Sequence, residues 1–157
     1  MEDKDVVITS AFRTAIGSFN GTLSSKTAPE LGSAVIKKCV ENSELKNEEV
    51  DMVYMGQVLT TGAGQNPARQ ASILAGLSND TTNTTINQVC GSGLASVALA
   101  YNSIKSGDGK VILAGGQESM SNSPHYINIR KGIKMGDGSM KDSMIIDGLW
   151  DVYNQYH

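Results

Sequence analysis

The segment Thr81-Thr82-Asn83-Thr84-Thr85-Ile86-Asn87-Gln88-Val89-Cys90-Gly91-Ser92-Gly93-Leu94-Ala95-Ser96-Val97-Ala98-Leu99-Ala100 changes character at its middle. Up to Val89 it is rich in Thr, Ile and Val, the composition of a strand. From Leu94 it is apolar nearly all round, which reads as a buried helix. Cys90-Gly91-Ser92-Gly93 is the hinge between the two. Downstream, the helix ends near Gly107, and Lys110-Val111-Ile112-Leu113-Ala114-Gly115-Gly116 reads as another strand, stopped by its glycines.

Upstream, Asn66-Pro67 has the form of an N-cap followed by proline in the first helical turn, opening a helix that runs to Gly76. Asp51 to Leu59 reads as a strand, and Thr60-Thr61-Gly62-Ala63-Gly64-Gln65 as the loop between them. Thr27-Ala28-Pro29-Glu30 has capping-box spacing and starts an earlier helix whose Leu31, Val35 and Cys39 share one face. Val6 to Ser10 is a short β-branched run and completes the pattern as a first strand. The order is β-α-β-α-β-α-β, with crossovers long enough for parallel strands, so the expectation is an α/β fold with helices on both faces of the sheet.

Residues 1–119 are expected to form this α/β core. Beyond Glu118 the texture turns to Met, Ser, Gly and mixed charge, with Met120, Met135, Met140 and Met144, then a helix-like piece from Asp147 to Tyr156. Residues 120–157 read as the beginning of a loop region inserted after the core.

The chain has 157 residues, 39% hydrophobic and 18% charged, with a formal charge of -3, which excludes a globally cationic nucleic-acid binder. A chain of this length buries roughly two-thirds of its unfolded surface, so a core is expected. The apolar run at Leu94 to Ala100 is too short to cross a bilayer. The charged N-terminus lacks the look of a secretory or transit segment, and the expected location is cytoplasmic. Cys39 and Cys90 lie far apart without C-x-x-C spacing, and only His125 and His157 accompany them, so neither a disulfide scaffold nor a metal site is indicated.

Cys90 carries two readings: a cysteine packed as a small hydrophobe, or a nucleophile. Its place favours the second. A thiol at a helix N-terminus meets the positive end of the helix dipole and unpaired amides, a setting that moves thiol pKa values from about 8.5 into roughly the 3.5–7.5 range. The same amides can donate to an oxyanion formed when sulfur attacks a carbonyl, and Gly91 and Gly93 permit close approach. Cys39, within an amphipathic helix, reads as core, and His125 as an exposed loop histidine without a partner carboxylate. The Gly62-x-Gly64 and Gly91-x-Gly93 loops complete no nucleotide-binding fingerprint. Arg69 is either a subunit contact or a solvated helix residue, and the methionines of the tail are either gap fillers or the lining of an acyl site.

Asn87-Gln88-Val89-Cys90-Gly91-Ser92-Gly93 resembles the active-site segment of thiolases. The likeness extends to Arg13-Thr14-Ala15-Ile16-Gly17-Ser18-Phe19, to Gly64-Gln65-Asn66-Pro67-Ala68-Arg69-Gln70, to Ala114-Gly115-Gly116-Gln117-Glu118-Ser119-Met120-Ser121 and to Asp147-Gly148-Leu149-Trp150-Asp151. It is nearest to the biosynthetic, acetoacetyl-CoA-forming type. The resemblance implies the N-terminal half of the thiolase fold and the activity of an acetyl-CoA C-acetyltransferase. Two acetyl-CoA give acetoacetyl-CoA and CoA, or the reverse thiolysis occurs, through an acetyl thioester on Cys90. It implies no cofactor beyond the CoA thioesters themselves. It makes His157, in Tyr156-His157, a partial match to a substrate-binding histidine near the CoA pantetheine. The family's second cysteine, histidine and asparagine belong to the C-terminal half. It further implies a homo-oligomer, dimer or tetramer, with the Thr81 to Val89 strand as the edge that a symmetric partner covers. The alternatives are a non-catalytic chain that only pairs with a full-length subunit, and a related ketoacyl synthase, whose cysteine segment differs from this one.

Overall fold

The computed structural model describes residues 5–157. Helix α1 spans Ala28–Asn42, strand β1 Met52–Gly56, helix α2 Pro67–Leu74, strand β2 Thr82–Ile86, helix α3 Ser92–Ser106 and strand β3 Ile112–Gly116. The three strands form one parallel sheet in the order β2-β1-β3. Gly56 lies opposite both Ile86 and Gly116, so the strands end level at their C-terminal edge.

The chain moves from β1 to one neighbour through α2, then back across β1 to the other neighbour through α3. Right-handed crossovers in opposite directions put the two helices on opposite faces. Strand alternation agrees. Val53 and Met55 point into a core shared with Ile36 and Val40 of α1 and Ala68 and Ala71 of α2. Tyr54 and Gly56 point the other way, the Tyr54 hydroxyl sharing a 3.0 Å hydrogen bond with Ser103 of α3.

The two faces are built differently. On the α1/α2 face, burial of large side chains such as Ile36 and Val53 stabilises by about 1.5–3 kcal/mol each. On the α3 face small residues let helix and sheet come close, and the buried Ser96 hydroxyl bonds Gly93 O at 2.6 Å and Gly115 O at 2.7 Å.

The local helix signals appear as read. Thr27 caps α1 in a capping box with Glu30, whose carboxylate accepts from the Thr27 N–H at 2.8 Å. Asn66 caps α2 by accepting from the Arg69 N–H, and Pro67 fills the first turn.

Four expectations are corrected. Val6 to Ser10 forms no strand; Val7 and Ile8 are 70% and 79% exposed. A strand needs a neighbour for its amides and carbonyls, and no described strand pairs with this segment. The buried face of α1 is Ala28, Gly32, Ile36 and Val40, one residue round from Leu31, Val35 and Cys39. Gly32 sets that face, because a Cβ there would collide with the Gln117 side chain and press on Ala71. Helix α3 is not buried all round: Ser92, Ser96 and Ala100 face the sheet, while Leu94 is 78% exposed because no described element covers its outer side. The tail is not a helix from 147 to 156. It contains a two-stranded antiparallel pair, β4 His125–Tyr126 with β5 Lys141–Asp142, a π-helical turn at Ile145–Leu149, and a turn closed by a bridge between Asp151 and Tyr156.

Candidate active site

In a parallel sheet, ligands bind beyond the carboxyl ends of the strands where the connections diverge to opposite faces. Here those ends deliver three segments to one place: Gln57 to Leu59 after β1, Asn87 to Gly93 after β2, and Gln117-Glu118 after β3. Gln57 and Val58 of the first, Val89, Cys90, Ser92 and Gly93 of the second, and Gln117 and Glu118 of the third line a shallow cavity of about 310 Å³.

Cys90 is exposed, two residues before the first residue of α3. Its neighbour Val89 has φ 49°, in the left-handed region. That is strained for a β-branched residue, at a cost of about 1–3 kcal/mol, and persists only where the surroundings enforce it. Three constraints do so. The buried Ser92 hydroxyl accepts from the Gln88 N–H at 2.8 Å and donates to Val89 O at 2.6 Å. The Asn87 Oδ1 accepts from the Val89 N–H at 2.9 Å. Gly56 lets the elbow seat against β1, since a Cβ there would lie 2.6 Å from the Ser92 carbonyl carbon and 2.8 Å from the Gly93 nitrogen.

The amides of the elbow are not all available to a ligand. The Gly91 N–H donates to Gln88 O at 3.0 Å and the Ser92 N–H to Val89 O at 3.1 Å. Two of the donors expected to face an oxyanion are therefore used inside the turn, in which the Cys90 N–H takes no part. A Cβ at Gly93 would meet nothing within 4 Å, so the backbone on that side is open to an approaching group.

Glu118 and the pair Gln57 and Gln117 are the functional surroundings that the sequence reading missed. The Glu118 carboxylate accepts from two consecutive amides, Val58 N–H at 2.8 Å and Leu59 N–H at 3.1 Å. Burial pushes its pKa up, and the two amide hydrogen bonds oppose that shift. Beneath it, the buried Gln117 Nε2 donates to Gln57 Oε1 at 2.9 Å and to Pro67 O at 3.2 Å, and Gln57 Nε2 donates to Leu59 O at 2.9 Å. The signal available in the sequence was the placement of Gln57 and of Gln117-Glu118 directly after apolar strands, where the carboxyl-edge rule puts site residues.

The other candidates fall elsewhere. His157 is exposed, its ring 6.3 Å from that of Trp150 and tilted by 47°, and it does not line the cavity with Cys90. Cys39 is half-buried in α1. His125 does have a carboxylate partner, correcting the reading from sequence: its Nε2 lies 3.7 Å from Asp142 across the β4–β5 pair. Arg69 is occupied by its own chain, donating to Thr81 O at 3.2 Å and Asn79 O at 3.1 Å, so it tethers the loop before β2. Gly62 and Gly64 take positive φ in the turn before α2. Among the described residues, no three His, Cys, Asp or Glu side chains gather in a metal-binding group, and no helix is long and apolar enough to cross a membrane.

The parallel α/β sheet thus presents an exposed cysteine on a strained strand-to-helix elbow at its carboxyl edge. Comparison with known proteins is specific. The thiolase N-terminal domain family matches residues 6–157, and the chain belongs to that family. It is 58% identical over 154 residues to an acetyl-CoA acetyltransferase of Cupriavidus necator, covering 98% of this chain and 39% of that protein. It is 53% identical over 155 residues to an acetyl-CoA acetyltransferase of Pseudomonas aeruginosa, again 98% of this chain and 39% of the relative. Among solved structures, the Acat5 thiolase of Ascaris suum in complex with coenzyme A superposes with a TM-score of 0.92 at 38% identity, covering 97% of this chain and 40% of that one. The chain thus spans about two-fifths of the length of these relatives.

Proposed function

We propose that this chain supplies the nucleophile half of an acetyl-CoA C-acetyltransferase site, with Cys90 as the residue that carries the acetyl group. The observation that carries the reading is the strained elbow, which brings an exposed sulfur, the Cys90 amide and the cavity together at the carboxyl edge of the sheet. In the first half-reaction Cys90 Sγ attacks the thioester carbonyl of acetyl-CoA. The bond from that carbon to the CoA sulfur breaks, CoA leaves as a thiolate, and the Cys90 N–H donates to the transient oxyanion. In the second, a second acetyl-CoA loses an alpha proton and its carbanion attacks the acetyl carbon. The new carbon–carbon bond forms as the bond to Sγ breaks, giving acetoacetyl-CoA. Thiolysis runs the same steps backward.

Among the described residues, the ionisable groups lining the cavity are Cys90 and Glu118, and the Glu118 carboxylate is engaged with two amides. The alpha-proton base and the enolate donors of the carbanion step are therefore assigned to parts of the protein beyond this chain. On the same reading His157, set beside Trp150, contacts the pantetheine arm of CoA. The outer edge of β2, which among the described strands pairs with β1 alone, is the edge along which a second copy adds.

The test is brief exposure of the full protein to acetyl-CoA followed by peptide mass spectrometry. The acetyl group is expected on the peptide carrying Cys90. Acetylation elsewhere, or none, overturns the reading.

A further inference from the structure

The geometry points to Glu118 as a positioning residue for Cys90, its carboxylate clamping the Val58-Leu59 segment, of which Val58 lines the cavity and, through Asn87, steadies the strained elbow. The inference rests on reading Cys90 as the nucleophile.

The clamp matches its donors in number. Two consecutive N–H groups point at one side chain, and an ionised carboxylate offers one oxygen to each, at 2.8 and 3.1 Å. A carboxamide of the same shape has one acceptor oxygen, and its NH₂ would face the second N–H. The segment it holds reaches three ways. Val58 lines the cavity beside Cys90. Val58 O accepts from the Asn87 Nδ2, a long bond at 3.4 Å, while the Oδ1 of the same side chain holds the N–H of strained Val89. Outward, Leu59 packs close to Gly148 and the Thr61 hydroxyl donates to Asp147 at 2.7 Å, so the segment also seats the 145–149 turn. Glu118 is thus the fixed end of a chain of contacts running from the end of β3, through the β1 loop, to the residue before the sulfur. It acts through these backbone groups.

The test uses Glu118→Gln, Asn87→Ser and the double variant in the full protein, with two readouts. The first is iodoacetamide alkylation of Cys90 against Cys39 as internal reference, which needs no CoA chemistry. Glu118→Gln is expected to slow Cys90 about threefold or more while Cys39 is unchanged, because a relaxed elbow turns the sulfur away from α3. The second is acetoacetyl-CoA thiolysis, in which kcat falls about tenfold while KM stays within about twofold, the signature of misplacement rather than lost binding. Asn87→Ser, which keeps a short acceptor near the Val89 N–H but cannot reach Val58, is expected to reproduce most of the effect, and the double variant to be no worse than either single one.

Unchanged Cys90 rates in both single variants, or multiplicative effects in the double one, overturn the proposal. If Glu118→Gln unfolds, seen as a parallel rise in Cys39 alkylation, Asn87→Ser decides alone by the same criteria. A Cys90 that is never acetylated yet still slows in these variants defeats the function proposed above and keeps the clamp. A Cys90 that is acetylated normally in every variant does the reverse.

Discussion

Asp51 and Glu118 make the same contact at opposite ends of the sheet. Asp51, just before β1, accepts from the consecutive amides Lys110 N–H and Val111 N–H at 2.7 and 3.0 Å, at the entry to β3. Glu118, just after β3, accepts from Val58 and Leu59 at the exit of β1. One carboxylate ties the bottom of the two strands together and the other ties the top. Their environments set them apart. The amide bonds from Val111 and then Lys110 hold exposed Asp51 below the usual aspartate range, whereas burial outweighs the same kind of bonds and lifts Glu118. The lower end fastens the sheet in water. The upper end holds a half-buried carboxylate beside the cavity that includes Cys90.

Substitutions at the two ends should separate these roles. The largest effect belongs to the sulfur: Cys90→Ser should cut thiolysis by about 10³-fold or more with little change in stability, measured by steady-state kinetics and denaturant unfolding. Retained turnover would move the chemistry away from the upper end. Gly56→Ala comes next, because its new Cβ enters the space of the Ser92-Gly93 backbone. It should destabilise by about 1–3 kcal/mol and also lower Cys90 alkylation, read from urea midpoints and thiol labelling. A change in stability without a change in labelling would mean the elbow is not held by β1.

Acid and base limbs of the stability curve give a third contrast. Asp51 has a lowered folded-state pKa, so its contribution is present above the ordinary aspartate value and is lost as pH falls through the folded value. Glu118 has a raised folded-state pKa, so its contribution is complete below the ordinary glutamate value of about 4.3 and is lost as pH rises through the folded value. Asp51→Asn should therefore flatten the acid limb below about pH 4, and Glu118→Gln should remove a decline just above it, in unfolding curves taken from pH 3 to 8. The smallest effect is Asp51→Asn at neutral pH, about 1 kcal/mol in the urea midpoint with kcat unchanged. A loss of kcat there would erase the distinction between the ends.

How much of this was legible in sequence depended on the range over which each feature is fixed. Thr27 with Glu30, and Asn66 with Pro67, were read correctly because a helix cap is satisfied within four residues. The β1, β2 and β3 runs were read because their composition already fits a sheet. Val6 to Ser10 has the same composition and forms no strand here, since a strand exists only with a neighbour. The inward face of α1 was misread by one residue: hydrophobicity favoured Leu31 and Val35, but closeness to Gln117 required glycine and selected the Gly32 side. His125 looked unpartnered because Asp142 is 17 residues away and reaches it only across the β4–β5 pair.

By itself the sequence determined the alternation of strands and helices, the helix starts, and the placing of one cysteine where a strand gives way to a helix, because each depends on periodicity or short-range hydrogen bonding. Only the tertiary structure decided that Glu118, Val58 and Asn87, spread over 60 positions, meet around that cysteine. Two parallel crossovers bring the strand ends level, and hydrogen bonds between those ends have no signature in any local stretch of chain.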